Sequence, residues 1–210
     1  MKLLTALFIC VATLAAAPIT SVKLTDAGSP AIIASSVTID GKTTTNVYIG
    51  PYTMLIDGQE VPALCVAYFD DSHLNDVWNA YVTPVGSSDL SGTYQPGAGQ
   101  EYEEAAYIYS QIVQPNSDRT GLQEAAWDIM AYDITDSSYT SLIGDNSYID
   151  AALANYRNVN FSGYDIVSDT NANAEQEFLI QAVPEPSTFA LLGAALTLAA
   201  GAIAWRKRKA

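Results

Sequence analysis

The chain has 210 residues, and 23 Asp and Glu against 9 Lys and Arg leave a formal net charge of −14. Proteins grip nucleic acid through Lys and Arg that neutralise phosphates, so this balance excludes nucleic acid as a natural partner. The one histidine, His73, excludes a zinc site built on several imidazoles, and two cysteines, Cys10 and Cys65, leave little room for disulfides.

Taken in order, the chain opens with Met1-Lys2, an apolar run from Leu3 to Leu14, and the small residues Ala15-Ala16-Ala17. This pattern predicts a signal peptide over residues 1–17, handled by the Sec export machinery. Cys10 leaves with it. Cys65 is then a single cysteine in an oxidising compartment, which suggests intermolecular pairing, a reactive thiol or a small buried hydrophobe. The exported domain, residues 18–182, keeps only Lys23, Lys42, Arg119 and Arg157 as bases and favours cations.

From Ala31 to Phe69 the pattern is that of strands: Ala31–Ile39, Asn46–Gly50, Tyr52–Ile56 and Val61–Phe69. Asp57-Gly58 is a tight-turn pair between the last two, and Pro62 marks a strand start or an edge. A Gly/Ser/Pro-rich loop covers Pro84–Gly99. Tyr102, Ala105, Ala106, Tyr109, Ile112 and Val113 then recur at helical spacing, and Pro115 stops that helix. A second helix is predicted over Gly121–Tyr132, and a third over Tyr148–Tyr156 with Ser147 as its N-cap. Strand character returns at Gly163–Ser168 and Glu175–Ala182. Strands, then helices, then strands predict an α+β fold, a mainly antiparallel β-rich domain with an inserted helical segment.

Two short segments carry the chemistry. Leu64-Cys65-Val66 and Gln123-Glu124-Ala125-Ala126-Trp127 together resemble bacterial surface thioester domains, in which a strand cysteine pairs with the glutamine of a Gln-x-Ala-Ile-Trp helix start. Ala126 stands where isoleucine is usual, and Leu122 where threonine is common. The resemblance implies an internal thioester between Cys65 and Gln123. A thiolate held in near-attack geometry displaces ammonia from a side-chain amide and leaves a stored acyl group. A helix start would offer N–H donors to the oxyanion, and Trp127, one turn on, would shield the bond from water. An arriving amine or hydroxyl would be acylated by Gln123, once, without turnover; the crosslink would also close the chain between the two residues, for a stabilisation of roughly 4 kcal/mol. Each residue has a plainer role too. Thr120-x-x-Gln123 fits a capping box, Trp127 fits a core, and Cys65 fits an inert strand interior.

Weaker constellations are a Cys65–His73 nucleophile pair, calcium ligation by Asp70, Asp71 and Asp76, and sugar stacking on Tyr48, Tyr52, Tyr68, Tyr81, Tyr94, Tyr102, Tyr107 and Tyr109. No cofactor or resident metal is expected.

The end of the chain, residues 183–210, reads Val-Pro-Glu-Pro-Ser, an uncharged run over Phe189–Trp205, and Arg206-Lys207-Arg208-Lys209-Ala210. As a helix the run would reach about 25 Å, just short of a hydrocarbon core of about 30 Å. Snorkelling of Arg206, Lys207, Arg208 and Lys209 closes the gap and fixes that end as cytoplasmic. Pro184, Glu185 and Pro186, the hydrophobic run over 189–205 and the basic end, in that order, resemble the PEP-CTERM sorting signal of Gram-negative bacteria. The resemblance implies an inner-membrane anchor during transit, processing by an exosortase-type sorting enzyme, and delivery to the cell surface or exopolysaccharide matrix. The expected function is noncatalytic adhesion or matrix attachment. The rival expectations are a noncovalent polysaccharide or calcium binder and a secreted hydrolase.

Overall fold

The computed structural model describes residues 19–28, 31–39, 42–68, 72–131, 147–171 and 175–182. The signal peptide expected over 1–17, the expected sorting residues Pro184, Glu185 and Pro186, the helix expected over 189–205, the basic cluster 206–209, and Asp70 and Asp71 all lie outside them. In chain order the described elements are β1 (Ile19–Asp26), β2 (Ile32–Ile39), β3 (Lys42–Ile49), β4 (Tyr52–Ile56), β5 (Gln59–Cys65), β6 (Val77–Pro84), α1 (Gly99–Ile112), α2 (Arg119–Ala131), α3 (Ser147–Asn155), β7 (Tyr164–Asp169) and β8 (Phe178–Gln181).

Six strands close a barrel in the order β1-β4-β5-β8-β7-β6, while β2 and β3 pair as a separate hairpin. Every neighbouring pair is antiparallel. All three helices fall between β6 and β7, so the helical segment is an insertion into an antiparallel domain, as the α+β reading expects. The β4–β5 turn is built as Asp57-Gly58 predicts, with positive φ at both residues (48° and 82°). Pro62 pairs with Thr53 of β4, and pairing with β8 begins only at Ala63. The residue that lacks an N–H therefore stands where β5 is still an edge.

Two apolar clusters share β5. Ala63 and Cys65 point into the barrel with Met54, Trp78, Val167, Phe178 and Ile180. Leu64 and Val66 point outward and, with Ile166 and Leu179, meet the buried faces of α1 and α2. A strand covered on both faces has no polar side, which explains the unbroken Ala-Leu-Cys-Val run. Trp127 is the exception on α2: it joins the barrel cluster while Leu122, Ala125, Ala126, Ile129 and Met130 pack in the helical one.

Several boundaries differ from expectation. The strand expected over Val61–Phe69 ends at Cys65, where β8 also begins at Phe178, so Cys65 is a terminal rather than an interior strand residue. Two strands, β1 and β6, were absent from the sequence reading. Both are half-buried: Thr20, Val22 and Leu24 are buried in β1, and Trp78, Ala80 and Thr83 in β6, while Val77 is exposed. Polar neighbours dilute the apolar signal in each. Val113 lies past the end of α1 and is exposed, because Ser117 Oγ donates to Ile112 O (2.8 Å) and turns the chain there.

Candidate functional site

The site begins with the cap of α2. Asp118 immediately precedes the helix, and its Oδ1 accepts from Gly121 N (3.2 Å), a side-chain N-cap. Its Oδ2 accepts from the Tyr148 hydroxyl (3.0 Å), which ties α3 to the same point. Gly121 makes room for that ring, since a Cβ there would lie 2.6 Å from Tyr148 Cε2. With the helix started at Asp118, Gln123 falls in the second turn and faces the end of β5.

Gln123 is fully buried, and its carboxamide is held at both ends. Nε2 donates to Cys65 O at 2.7 Å, a contact across 58 positions of sequence, and Oε1 accepts from Gly50 N at 3.3 Å. A buried amide needs partners, and these two are supplied by the chain ends of β5 and β3 rather than by α2. The capping-box role of Thr120 and Gln123 is thereby replaced by Asp118. The oxyanion donors expected from the start of α2 are also displaced. The free N–H groups of a helix belong to its first turn, Gln123 lies beyond it, and the donor aimed at its carbonyl oxygen is Gly50.

Cys65 is fully buried with its thiol inside the barrel. Trp127 Nε1–H donates to Sγ at 3.4 Å, and Sγ donates to Ala67 O at 3.3 Å. Tyr68 stands edge-on to Trp127, with ring centroids 5.1 Å apart. Cys65 is thus contacted by both other residues, Gln123 on its backbone carbonyl and Trp127 on its sulfur.

Four neighbours were not placed at this site from sequence, Tyr52 and Tyr68 having been read only as sugar-stacking rings. Gly50 is one: a Cβ there would stand 2.7 Å from Gln123 Oε1, so only glycine admits the carboxamide at this distance. Arg119 is another, with Nε donating to Gly50 O (2.6 Å) and Nη2 to Ile49 O (3.0 Å). Burial lowers its pKa from the ordinary guanidinium value, with nearby Tyr52 acting the other way. Tyr52 itself is held well above 10 by burial, then by Cys65, so the phenol stays protonated; its hydroxyl donates to Tyr48 O (2.5 Å). Tyr68 completes the set. The scarcity of bases in an acidic domain was the available signal for Arg119.

The weaker constellations fare differently. His73 is exposed, and its Nδ1 sits 3.4 Å from Asp76 Oδ2, while Cys65 lies inside the barrel. Among the described residues no three His, Cys, Asp or Glu come together as metal ligands. Tyr52, Tyr68, Tyr102 and Tyr109 are core residues rather than exposed stacking faces.

Residues 182–209 are a PEP-CTERM protein-sorting motif. The matched stretch contains Pro184, Glu185, Pro186 and the basic cluster Arg206–Lys209 that carried the resemblance in sequence. The motif indicates an exported surface protein whose tail is a membrane-anchored sorting signal for an exosortase. Among the described residues no helix is long and apolar enough to cross a membrane. No curated protein and no solved structure matches the chain.

Proposed function

We propose that the exported domain attaches covalently to its surroundings through an internal thioester between Cys65 Sγ and Gln123 Cδ. The observation that carries this reading is the buried carboxamide of Gln123, bonded to the backbone of Cys65 at 2.7 Å while Trp127 donates to the Cys65 sulfur. Bond formation joins Sγ to Cδ and breaks Cδ–Nε2. The thiol proton leaves with the nitrogen as ammonia, and no redox change occurs. An amine or hydroxyl on an exopolysaccharide or a surface protein then attacks Cδ, the C–S bond breaks, and the acceptor's proton returns to Sγ. The domain reacts once, as an adhesin or matrix anchor rather than a turnover enzyme, after Sec export and exosortase sorting have placed it at the surface or in the matrix.

Intact-mass measurement tests the proposal on protein purified after export of the full chain. Wild type should be lighter by one ammonia than its sequence requires, and Cys65→Ala and Gln123→Ala should not be. Methylamine should add to wild type at Gln123 and free one thiol. Full mass in fresh wild-type protein overturns the thioester.

One observation favours a second reading, noncovalent binding of a neutral polysaccharide. A cavity of about 350 Å³ opens where α1, α2 and α3 meet, lined by Tyr107, Gln111, Gln114, Asn116 and Tyr148 among others. Rings beside amides are the usual partners of sugar faces and hydroxyls. Saccharide binding that survives Cys65→Ala and is lost in Tyr107→Ala would support it.

A further inference from the structure

We propose that Arg119 is a positioning residue that polarises the Ile49–Gly50 peptide as a single-donor oxyanion site for Gln123. This rests on the thioester reading above and assigns the groups that make its acyl carbon reactive. Ile49 O and Gly50 N belong to one peptide unit. Arg119 Nη2 donates to the oxygen of that unit at 3.0 Å, and the N–H of the same unit donates to Gln123 Oε1 at 3.3 Å. A cation on the carbonyl withdraws electron density through the amide and strengthens the N–H as a donor, the cooperative effect of linked hydrogen bonds. The second prong, Nε on Gly50 O at 2.6 Å, fixes the next peptide and stops the unit from rotating.

The surroundings fit this role. Arg119 is the first residue of α2 and Gln123 lies one turn later, so the helix sets the spacing between cation and acyl group. Gly50 has no Cβ to push the carboxamide away, and Gly28 leaves the guanidinium space, since a Cβ there would fall 2.5 Å from Arg119 Nη2. The 3.3 Å contact is long for a neutral amide oxygen. When a nucleophile adds to Cδ, that oxygen takes the negative charge, and a donor already aimed at it then contributes most. The same site serves both steps. Cys65 Sγ attacks to form the thioester, and an amine attacks to open it, each passing through an oxyanion on Oε1.

The test compares wild type with Arg119→Lys, Arg119→Gln and Gly50→Ala in the full chain. Two quantities are followed, the fraction lacking one ammonia and the rate of methylamine capture. Removing an oxyanion donor outright costs about 100-fold or more, and here the donor persists but is weakened. Capture should therefore slow by about tenfold in Arg119→Gln, and less in Arg119→Lys, which keeps the charge without the fork. Gly50→Ala should lack the thioester altogether. The Gly50 amide proton should move upfield in Arg119→Gln, a shift that a merely supportive arginine would not produce in a protein of unchanged fold. Should Arg119→Gln fail to fold, Arg119→Lys carries the same two readouts. Wild-type capture rates and an unmoved Gly50 amide in either variant overturn the relay while leaving the thioester intact. Full mass in wild type removes the thioester reading itself.

Discussion

Glu177 shows what a single charged residue demands when it is placed in a core. It is 1% exposed, and its carboxylate is surrounded by donors: Oε1 accepts from Tyr94 N (2.9 Å) and Ser168 Oγ (2.5 Å), and Oε2 from the Tyr102 hydroxyl (2.5 Å). The arrangement pins the loop before α1, the helix itself and β7 to one side chain at the start of β8. Burial and then the neighbouring Glu177 push the Tyr102 phenol well above its usual pKa of 10, so it remains a donor. Tyr102→Phe keeps the ring but removes one donor from the buried carboxylate. The expected loss is about 1–3 kcal/mol, read as a lower urea midpoint at unchanged slope. A midpoint equal to wild type would mean that water replaces the phenol, which the buried position argues against.

At the scale of elements, α2 sets the site because its first residue is fixed. Asp118→Ala removes the acceptor for Gly121 N and for the Tyr148 hydroxyl together, and should cost about 1 kcal/mol. Asp118→Asn, which still caps, should recover most of it, and thermal unfolding of the two variants checks the comparison. The helices were legible in sequence because Tyr102, Ala105, Ala106 and Tyr109, or Leu122, Ala125, Ile129 and Met130, keep a helical period that packing on the barrel only reinforces. The hairpin at Asp57-Gly58 was legible for its turn chemistry. β1 and β6 were not, since their inward residues alternate with Ser21, Lys23 and Asn79, and closure of the barrel rather than local pattern makes them strands. The pairing of Cys65 with Gln123 came from resemblance, not from periodicity. Thr120 and Gln123 satisfy a capping pattern equally well, and only tertiary contact decides between the two. Gly50 was beyond reach, because what it contributes is a backbone N–H placed by the end of β3.

For the molecule as a whole, the excess of carboxylates sets how stability follows pH. Glu104, Glu124, Glu175 and Asp165 are each held above their ordinary values of 4.5 and 3.8, in every case first by burial. For Glu124 the second cause is Asp118 nearby; for Glu104 a hydrogen bond from Gln100 works the other way. A carboxyl with a raised folded-state pKa binds its proton more tightly folded than unfolded. Above its unfolded value the native state therefore carries more protons, and stability falls as pH rises through that window. Repulsion within a chain of net charge −14 has the same sign. Asp89 opposes it only at lower pH, where hydrogen bonds from Ser91 hold its carboxyl below 3.8. The melting temperature should thus rise as pH is lowered from neutrality toward the ordinary carboxylate range, before acid unfolding sets in. Glu124→Gln should melt higher at neutral pH and gain less on acidification, because the half-buried charge it removes is one that the lower pH would have neutralised. A wild-type melting temperature that falls steadily from neutrality downward would show that these desolvated carboxyls do not govern how stability follows pH.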